Sequence, residues 1–299
     1  MSTNPQPILP GSPPQRRFRP PSLGQSISHD GQTYFIGQQI GQGAFGAVYD
    51  CFDEWGNELV AKVMLPKNRS YSEVRDQWNG ELTSLVVLRH PNITYVYDAF
   101  EFQDTFYLII EKCSSTLAGL ISMPNLHGEL WLQSVAGGLL QAIHFIHSAG
   151  YVHKDLHAGN VFLLWQKDRM MPDREPVLSF KVGDLGISRI ESDLNIFNTV
   201  LAQWMLPPEF LDPVRFGTLG CQVDIYHAGL LFLSLLLGRT PEFTRDEILA
   251  GKPRQTAEGL SSPFSSAIAK ALRRTVDQRT STALDFWREI CPAAIPRPS

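Results

Sequence analysis

Short runs of alternating apolar and polar positions fill residues 34–110. They are rich in β-branched and aromatic residues, and the pattern predicts strands over segments such as 59–63 and 105–110. One helix is predicted among these strands, over residues 73–89, because apolar residues recur there every three or four positions. The stripe of this helix consists of Val74, Trp78, Leu82, Leu85 and Val86.

The pattern becomes mostly helical after Ser114. One predicted helix carries a stripe of Trp131, Val135, Leu139, Ile143 and Ile146. Residues 223–237 are apolar nearly all round, which is typical of a helix in the centre of a helical region, and Gly238 supplies its stop signal. A strand-rich part therefore precedes a helix-rich part, with residues 111–116 as the joint, and ligands favour crevices between such parts.

Both ends of the chain are predicted to lie outside the folded region. Residues 1–28 contain many prolines and few large apolar side chains, so we expect a disordered tail. The basic cluster Arg16, Arg17 and Arg19 is either solvated linker or a docking segment for an acidic surface or an SH3-like groove. Residues 291–299 are predicted to form a short C-terminal tail.

The composition adds limits on the class of protein. The 299 residues are 43% apolar, with 26 basic against 30 acidic side chains, giving a net charge of −4. Such a chain is globular, and its mild charge argues against a nucleic-acid or membrane partner. Four scattered cysteines without a CxxC pair, and the lack of a leader pattern, predict a reducing cytoplasm with neither disulfides nor structural zinc.

A glycine-rich segment is the first candidate for chemistry. Gly41, Gly43 and Gly46 are spaced as GxGxxG between two predicted strands, a setting that suits a flap over phosphates, although alone the motif serves ordinary hairpins equally well. Lys62 follows in an apolar strand, where an ammonium group needs an anion. Glu81, on the predicted helix, is a candidate partner for that ammonium group; otherwise both are surface residues.

The strongest signal is polar residues at fixed steps between apolar flanks. Asp155 and Asn160 lie in one short loop and offer a carboxylate for a nucleophilic hydroxyl and an oxygen ligand for magnesium. Asp184, at the end of a strand and before a small turn, is a second candidate metal ligand.

With these motifs in order, the chain resembles the protein kinase family over residues 34–290. The resemblance implies an α+β fold of two lobes, with a kinase domain at 29–290 divided near 112. It also implies that the three glycines cover ATP, that Lys62 holds the phosphates against Glu81, that Asp155 is the base, and that Asn160 and Asp184 bind Mg²⁺. The implied nucleotide-contacting residues are completed by Ile40, Val48, Val60, Ile110, Glu111, Cys113 and Phe162.

Other matches to the family concern the fold. Glu209 in a Pro-Pro-Glu motif is expected to pair with Arg279 in the helical lobe, and Asp224 is expected to brace the catalytic loop. An apolar spine linking the lobes is implied at Leu85, Val96, His153 and Leu185.

Several positions depart from the family pattern. Most Ser/Thr kinases have Lys where this chain has His157, and Lys154 replaces an arginine that grips a phosphorylated activation loop. The segment before Pro207 is also atypical, so Ser/Thr and Tyr specificity both stay open, with Ser/Thr favoured. Ser188, Ser192 and Thr199 are candidate autophosphorylation positions, and residues 165–176 are expected to form a long hairpin loop.

Two alternatives to a protein kinase remain. His157 and its neighbours also resemble the catalytic loop of aminoglycoside and choline kinases, which phosphorylate small molecules. The second alternative is a pseudokinase, a scaffold that binds nucleotide without catalysis. Retention of Lys62, Glu81, Asp155, Asn160 and Asp184 together favours catalysis.

Overall fold

The computed structural model describes residues 16–43, 46–167, 170–171, 173–185 and 205–291, with only the backbone at 189–190. The chain divides into two compact units, one of Met1–Trp78 and Asp98–Ile109 and the other of Asn79–Tyr97 and Ile110–Ser299. A β-rich N-terminal region thus precedes a helical C-terminal region, which agrees with the predicted α+β fold. The division differs from the expected boundary near 112, because it falls within a helix and assigns residues 79–97 to the helical unit.

Six strands form the main sheet, in the spatial order β1-β2-β3-β4-β6-β5. Strands β1 to β4 pair antiparallel in sequence, and β2 is irregular between Ile36 and Gly41. The alternating pattern places one face in a core that includes Ile36, Tyr49, Val63 and Tyr107. The strand bounds are β1 Ser26–His29, β2 Gln32–Gln42, β3 Gly46–Asp53, β4 Glu58–Met64, β5 Val96–Phe102 and β6 Thr105–Glu111.

Helix α1, Tyr71–Val87, interrupts the strands where the sequence predicted it. Val74 and Leu85 of the predicted stripe are buried, but the inclusion of Val86 was wrong, since this residue is 46% exposed. One helical step of about 100° turns Val86 away from the face that buries Leu85. Glu81 and Ser84 share the buried side of the helix instead.

The predicted disorder of residues 1–28 is wrong from Arg16 onward; residues 1–15 lie outside the described part. Ser26–His29 pairs with β2, and Ile27 is 1% exposed. Further upstream, the backbone N–H groups of Arg17 and Arg19 donate to Asp104 and Thr105. These contacts are made with residues far along the chain, and the proline-rich composition of the segment does not reveal them.

The second unit is built on two long helices. In α3, Gly128–Ser148, the predicted stripe is buried apart from the partly exposed Trp131. In α6, Gln222–Leu237, every residue from 223 to 235 is buried, and Gly238 ends the helix in the left-handed region at φ 62°. The other helices are α2 Leu117–Ile121, α4 Pro208–Leu211, α5 Pro213–Phe216, α7 Arg245–Ala250, α8 Lys252–Glu258, α9 Ser265–Ala271 and α10 Ala283–Ile290.

Two small sheets complete this unit. The first has the order β10-β9-β7, and the antiparallel pairing of β9 with β10 confirms the predicted hairpin. The expected loop over 165–176 began two residues too early, because Trp165 and Gln166 pair with Leu178 and Val177. The second pairs β8 with β11. Their bounds are β7 Ser115–Thr116, β8 Tyr151–Val152, β9 Val161–Gln166, β10 Val177–Val182 and β11 Arg189–Ile190. Within the described ranges, no helix has the length and apolar content needed to cross a membrane.

Candidate active site

Asp224 of α6 holds the loop that carries Asp155 in place. Asp224 is fully buried, and its carboxylate accepts hydrogen bonds from the backbone N–H groups of His153 and Lys154, each at 2.8 Å. His147 Nε2 adds a third contact, also at 2.8 Å. Burial by itself would raise the pKa of Asp224, but the bonds from His147 and His153 bring it below its ordinary value. Asp224 therefore fixes the backbone just before Asp155, as the resemblance implied.

His153 connects this loop to the segment that carries Asp184. It is fully buried, its Nδ1 accepts the N–H of Asp155 at 3.2 Å, and its Nε2 lies 3.1 Å from the carbonyl oxygen of Gly183. A ring nitrogen that faces a carbonyl must donate, so His153 is the Nε2–H tautomer. Asp184 follows Gly183 directly, with a left-handed backbone at φ 57°.

Asp155 lies beside Asn160. The amide Nδ2 of Asn160 donates to the Asp155 carbonyl at 3.0 Å and to its carboxylate Oδ2 at 3.5 Å. Burial raises the pKa of Asp155, opposed by the nearby His157 and His153, while the charge of Asp184 raises it further. A carboxylate with a raised pKa is better suited to accept a proton from a hydroxyl group.

His157 also lies near the Asp155 carboxylate. Its Nε2 is 3.9 Å from Asp155 Oδ2, and its Nδ1 accepts the N–H of Gly159 at 3.0 Å. Burial lowers the pKa of His157 below its ordinary value, although Asp155 acts in the opposite direction. A neutral ring that accepts at Nδ1 carries its proton on Nε2, so His157 presents a neutral N–H toward Asp155.

The β9–β10 hairpin positions the two candidate magnesium ligands. Val161 opposes Val182 at the open end of the hairpin, and the Gly183 N–H donates to the Asn160 carbonyl at 2.9 Å. Because the Nδ2 group of Asn160 donates its hydrogen bonds to Asp155, the Oδ1 atom of Asn160 is the side-chain atom that could bind a metal ion. An amide oxygen together with the carboxylate of Asp184 matches the oxygen ligands that Mg²⁺ prefers.

Three residues expected to meet adenine lie at the end of β6 and just before β7: Ile110, Glu111 and Cys113. The Glu111 side chain is fixed there, because its Oε1 accepts both the N–H of Tyr95 and Nζ of Lys181 at 2.7 Å. Cys113 is half-buried, and burial raises the pKa of its thiol to about 12, so it is an unreactive thiol. Ile110 and Phe162 are partly buried.

The glycine-rich segment lies in the first unit, between β2 and β3. The Gly43 N–H donates to the Gly46 carbonyl at 2.9 Å, which closes the turn that the sequence predicted. A Cβ at position 46 would collide with the Val63 carbonyl oxygen, so this position requires glycine. The turn is flanked by the half-exposed Ile40 and by Gly41, which pairs with Val48.

Lys62 and Glu81 occupy the predicted elements. Lys62 is partly buried on β4, opposite Val48, with Val60 two residues before it on the same strand face. Glu81 is 1% exposed on α1. Lys62 belongs to the first unit and Glu81 to the second, and their pairing stays a prediction from the resemblance.

The predicted ion pair of the helical unit is confirmed. Arg279 donates to both carboxylate oxygens of Glu209, at 2.7 and 2.8 Å, and both side chains are fully buried. Ser188, Ser192 and Thr199, the candidate modification positions, lie outside the residues whose side chains are described.

Sequence reasoning missed two histidines. His147 belongs to none of the motifs found in the sequence, yet it contacts Asp224. His227 is fully buried in α6, and its Nε2 donates to the Met205 carbonyl at 3.0 Å. Neither has the spacing of a ligand set, and the only available signal was a polar residue within, or at the end of, an apolar helix.

Comparison with known proteins identifies the family of the chain. Residues 34–293 match a family model described as the protein kinase domain. Similar curated proteins include the serine/threonine-protein kinase TAO2 of Homo sapiens, 29% identical over 219 residues that make up 71% of this chain and 16% of that protein. TAO3 of Gallus gallus is 26% identical over 268 residues, covering 85% of this chain and 28% of that protein. PLK2 of Rattus norvegicus is 24% identical over 216 residues, with 71% and 30% covered. The chain thus spans less than a third of the length of each of these relatives.

Proposed function

The chain belongs to the protein kinase family, and from this premise we propose that it transfers the γ-phosphate of ATP to Ser or Thr hydroxyls of other proteins, with Mg²⁺ as cofactor. The observation that carries the proposal is the hydrogen-bonded pair of Asp155 and Asn160 in a loop that the buried Asp224 holds rigid. The names of the relatives support the preference for Ser and Thr.

In the proposed reaction, Asp155 orients the acceptor hydroxyl and receives its proton. The hydroxyl oxygen forms a bond to the γ-phosphorus while the bond from this phosphorus to the β–γ bridging oxygen breaks. Asn160 and Asp184 would hold Mg²⁺, which neutralises charge on the phosphates when bound. The raised pKa of Asp155 increases its affinity for the transferred proton.

The remaining residues are proposed to bind the nucleotide. Lys62, with Glu81 as its counter-ion, would contact the α- and β-phosphates, and the turn at Gly41, Gly43 and Gly46 would cover them. The adenine ring would lie among Ile40, Val48, Val60, Ile110 and Phe162, with the backbone of Glu111 and Cys113 as its polar contact. The Glu111 side chain, bonded to Tyr95 and Lys181, supports that backbone.

The test is incubation of the purified chain with labelled ATP and Mg²⁺. Generic protein substrates are compared with aminoglycoside and choline acceptors, and phosphoamino-acid analysis follows. We expect phosphoserine or phosphothreonine. Asp155→Asn should lower turnover by at least about 100-fold, because the base is lost, while nucleotide binding persists. Asp30→Asn, at a side chain 90% exposed, is the matched control and should be fully active.

Each other outcome identifies a different function. Label only on small molecules would indicate a small-molecule phosphotransferase. Nucleotide binding without transfer to any acceptor would indicate a scaffold. Full activity of Asp155→Asn would show that the base has been assigned wrongly.

A further inference from the structure

The segment before β1 is attached to the turn between β5 and β6. The N–H of Arg17 donates to Asp104 Oδ2 at 3.1 Å, and the N–H of Arg19 donates to Thr105 Oγ1 at 2.8 Å. The Thr105 hydroxyl in turn donates to the carbonyl oxygen of Arg19 at 3.1 Å, and Thr105 is fully buried. Three hydrogen bonds on both sides of Phe18 therefore define where this residue lies.

Phe18 extends from this anchor onto the first turns of α1. Its ring lies 6.1 Å from that of Tyr71 and 6.4 Å, edge-on, from that of Phe106 in β6. These distances are within the range of favourable aromatic pairs. The guanidinium of Arg16 lies 4.1 Å over the ring of Tyr71, a cation–π contact.

The start of α1 is thus held from two sides. Phe18 and Arg16 contact Tyr71, while Trp78 packs on Phe106 and donates from Nε1 to the carbonyl of Tyr107 in β6 at 3.0 Å. Phe18, Tyr71 and Trp78 together cover the small buried cluster of Met64, Val74 and Phe106. Loss of the Phe18 ring would remove one of the two sides.

Glu81 lies on the same face of this helix. Positions 71, 74, 78 and 81 are separated by three, four and three residues, the spacing of one helical stripe. A rotation of the first turns about the helix axis would therefore be transmitted to Glu81.

We propose that Phe18 is a positioning residue for phosphotransfer: through Tyr71 it fixes the rotation of α1 and so places Glu81. The proposal rests on the proposed function, since Glu81 matters there as the counter-ion of Lys62. Residues 16–19 belong to the segment that composition predicted to be a disordered tail, and on this account they help to position a catalytic residue.

The test measures kcat and the KM for ATP in the full chain, per molecule competent to bind ADP. Phe18→Ala should lower kcat about tenfold, the effect of losing one aromatic contact of about 1.4 kcal/mol. Phe18→Trp, which retains an aromatic ring, should restore most of the activity. Leu23→Ala is the matched control, because Leu23 lies in the same segment and is 71% exposed, and it should equal the wild type.

A double-mutant cycle separates positioning from plain loss of stability. If Phe18 acts through Glu81, Phe18→Ala should have almost no further effect on kcat in a Glu81→Gln background. Effects that multiply in the double variant would overturn the proposal, and so would a Phe18→Ala variant with unchanged kcat.

Hydrogen exchange of the α1 amides provides a readout independent of activity. Phe18→Ala should speed exchange from Tyr71 through Glu81, and Leu23→Ala should not. Should the wild type show no phosphotransfer, the proposed function fails, and exchange alone decides on Phe18: faster exchange supports its role in holding α1, and unchanged exchange overturns it.

Discussion

At the residue scale, the most informative departure from the family pattern is His157. The sequence shows only that a lysine is replaced. The structure adds that Gly159 fixes the ring through Nδ1 and that the proton on Nε2 faces Asp155 at 3.9 Å. A lysine would bring a full positive charge beside Asp155, which would lower the pKa of this carboxylate. The neutral ring of His157 has a weaker effect on the basicity of this carboxylate.

His227 is a second residue whose protonation state follows from its surroundings. Burial lowers its pKa to about 4, against an ordinary value near 6.5, and the charges of Asp224 and Glu209 offset only part of this effect. Its Nε2 donates to Met205, and no hydrogen-bond partner is found for its buried Nδ1, as judged on the described residues. The folded chain therefore carries this histidine in the neutral form.

The pH dependence of stability follows from that difference. In the unfolded chain His227 binds a proton below pH 6.5, but in the folded chain only below about pH 4. The unfolding free energy is therefore unaffected by the titration of His227 above pH 6.5, and it decreases as the pH falls toward 4. We expect His227 to account for about 2 kcal/mol of the loss in unfolding free energy between pH 7 and pH 5.

Urea unfolding at both pH values, monitored by circular dichroism, measures this loss. His227→Gln keeps an N–H donor for Met205 but has no titrating group, so its stability should fall about 2 kcal/mol less over the same interval. The exposed His144 provides the comparison, and His144→Gln should behave as the wild type. Equal pH dependence of His227→Gln and the wild type would contradict the assignment.

At the scale of elements, two adjacent glycines in α3 have opposite environments. A Cβ on Gly138 would lie 2.8 Å from the Cβ of Phe180 in β10 and 2.9 Å from its carbonyl oxygen. A Cβ on Gly137 would meet only the ring of Trp287, at an ordinary 3.5 Å. Close packing of α3 on β10 therefore requires glycine at one position and not at the other.

This contrast predicts opposite effects of the same substitution. Gly138→Ala should destabilise the chain by roughly 1–3 kcal/mol through overpacking, while Gly137→Ala should stabilise it by up to about 1 kcal/mol through helix propensity. Thermal unfolding of the two variants beside the wild type measures both effects. A similar change of Tm in the two variants would show that α3 does not pack on β10 as closely as described.

The elements that could be predicted from sequence are those that depend on neighbours along the chain. The buried α6 and the β9–β10 hairpin follow from apolar pattern alone, and Asp155 and Asn160 follow from a loop of fixed spacing. The ordered structure of residues 16–28 could not be predicted, because it depends on contacts such as the hydrogen bond of Arg19 to Thr105, 86 positions away. The contact of His147 with Asp224, 77 positions apart, was missed for the same reason.

At the scale of the whole molecule, the net charge of −4 argues against a general affinity for polyanions, so the proposed nucleotide binding depends on a few local groups. Those groups come from both compact units: the glycine turn and Lys62 from the first, and Asp155, Asn160 and Asp184 from the second. A nucleotide that binds the folded chain should stabilise it against unfolding.

The size of that stabilisation follows from mass action. At a nucleotide concentration 100 times Kd, the unfolding free energy rises by about 2.7 kcal/mol, which raises Tm by roughly 4–5 °C for a chain of this size. We expect this increase with a non-hydrolysable ATP analogue and Mg²⁺, and a smaller one when EDTA removes the metal. Asp184→Asn should lose the difference between the two conditions, because a candidate metal ligand is gone, whereas Asp155→Asn should retain it. Should Asp184→Asn retain the difference while Asp155→Asn loses it, the two aspartates would have exchanged roles, with Asp155 as the residue that holds the metal.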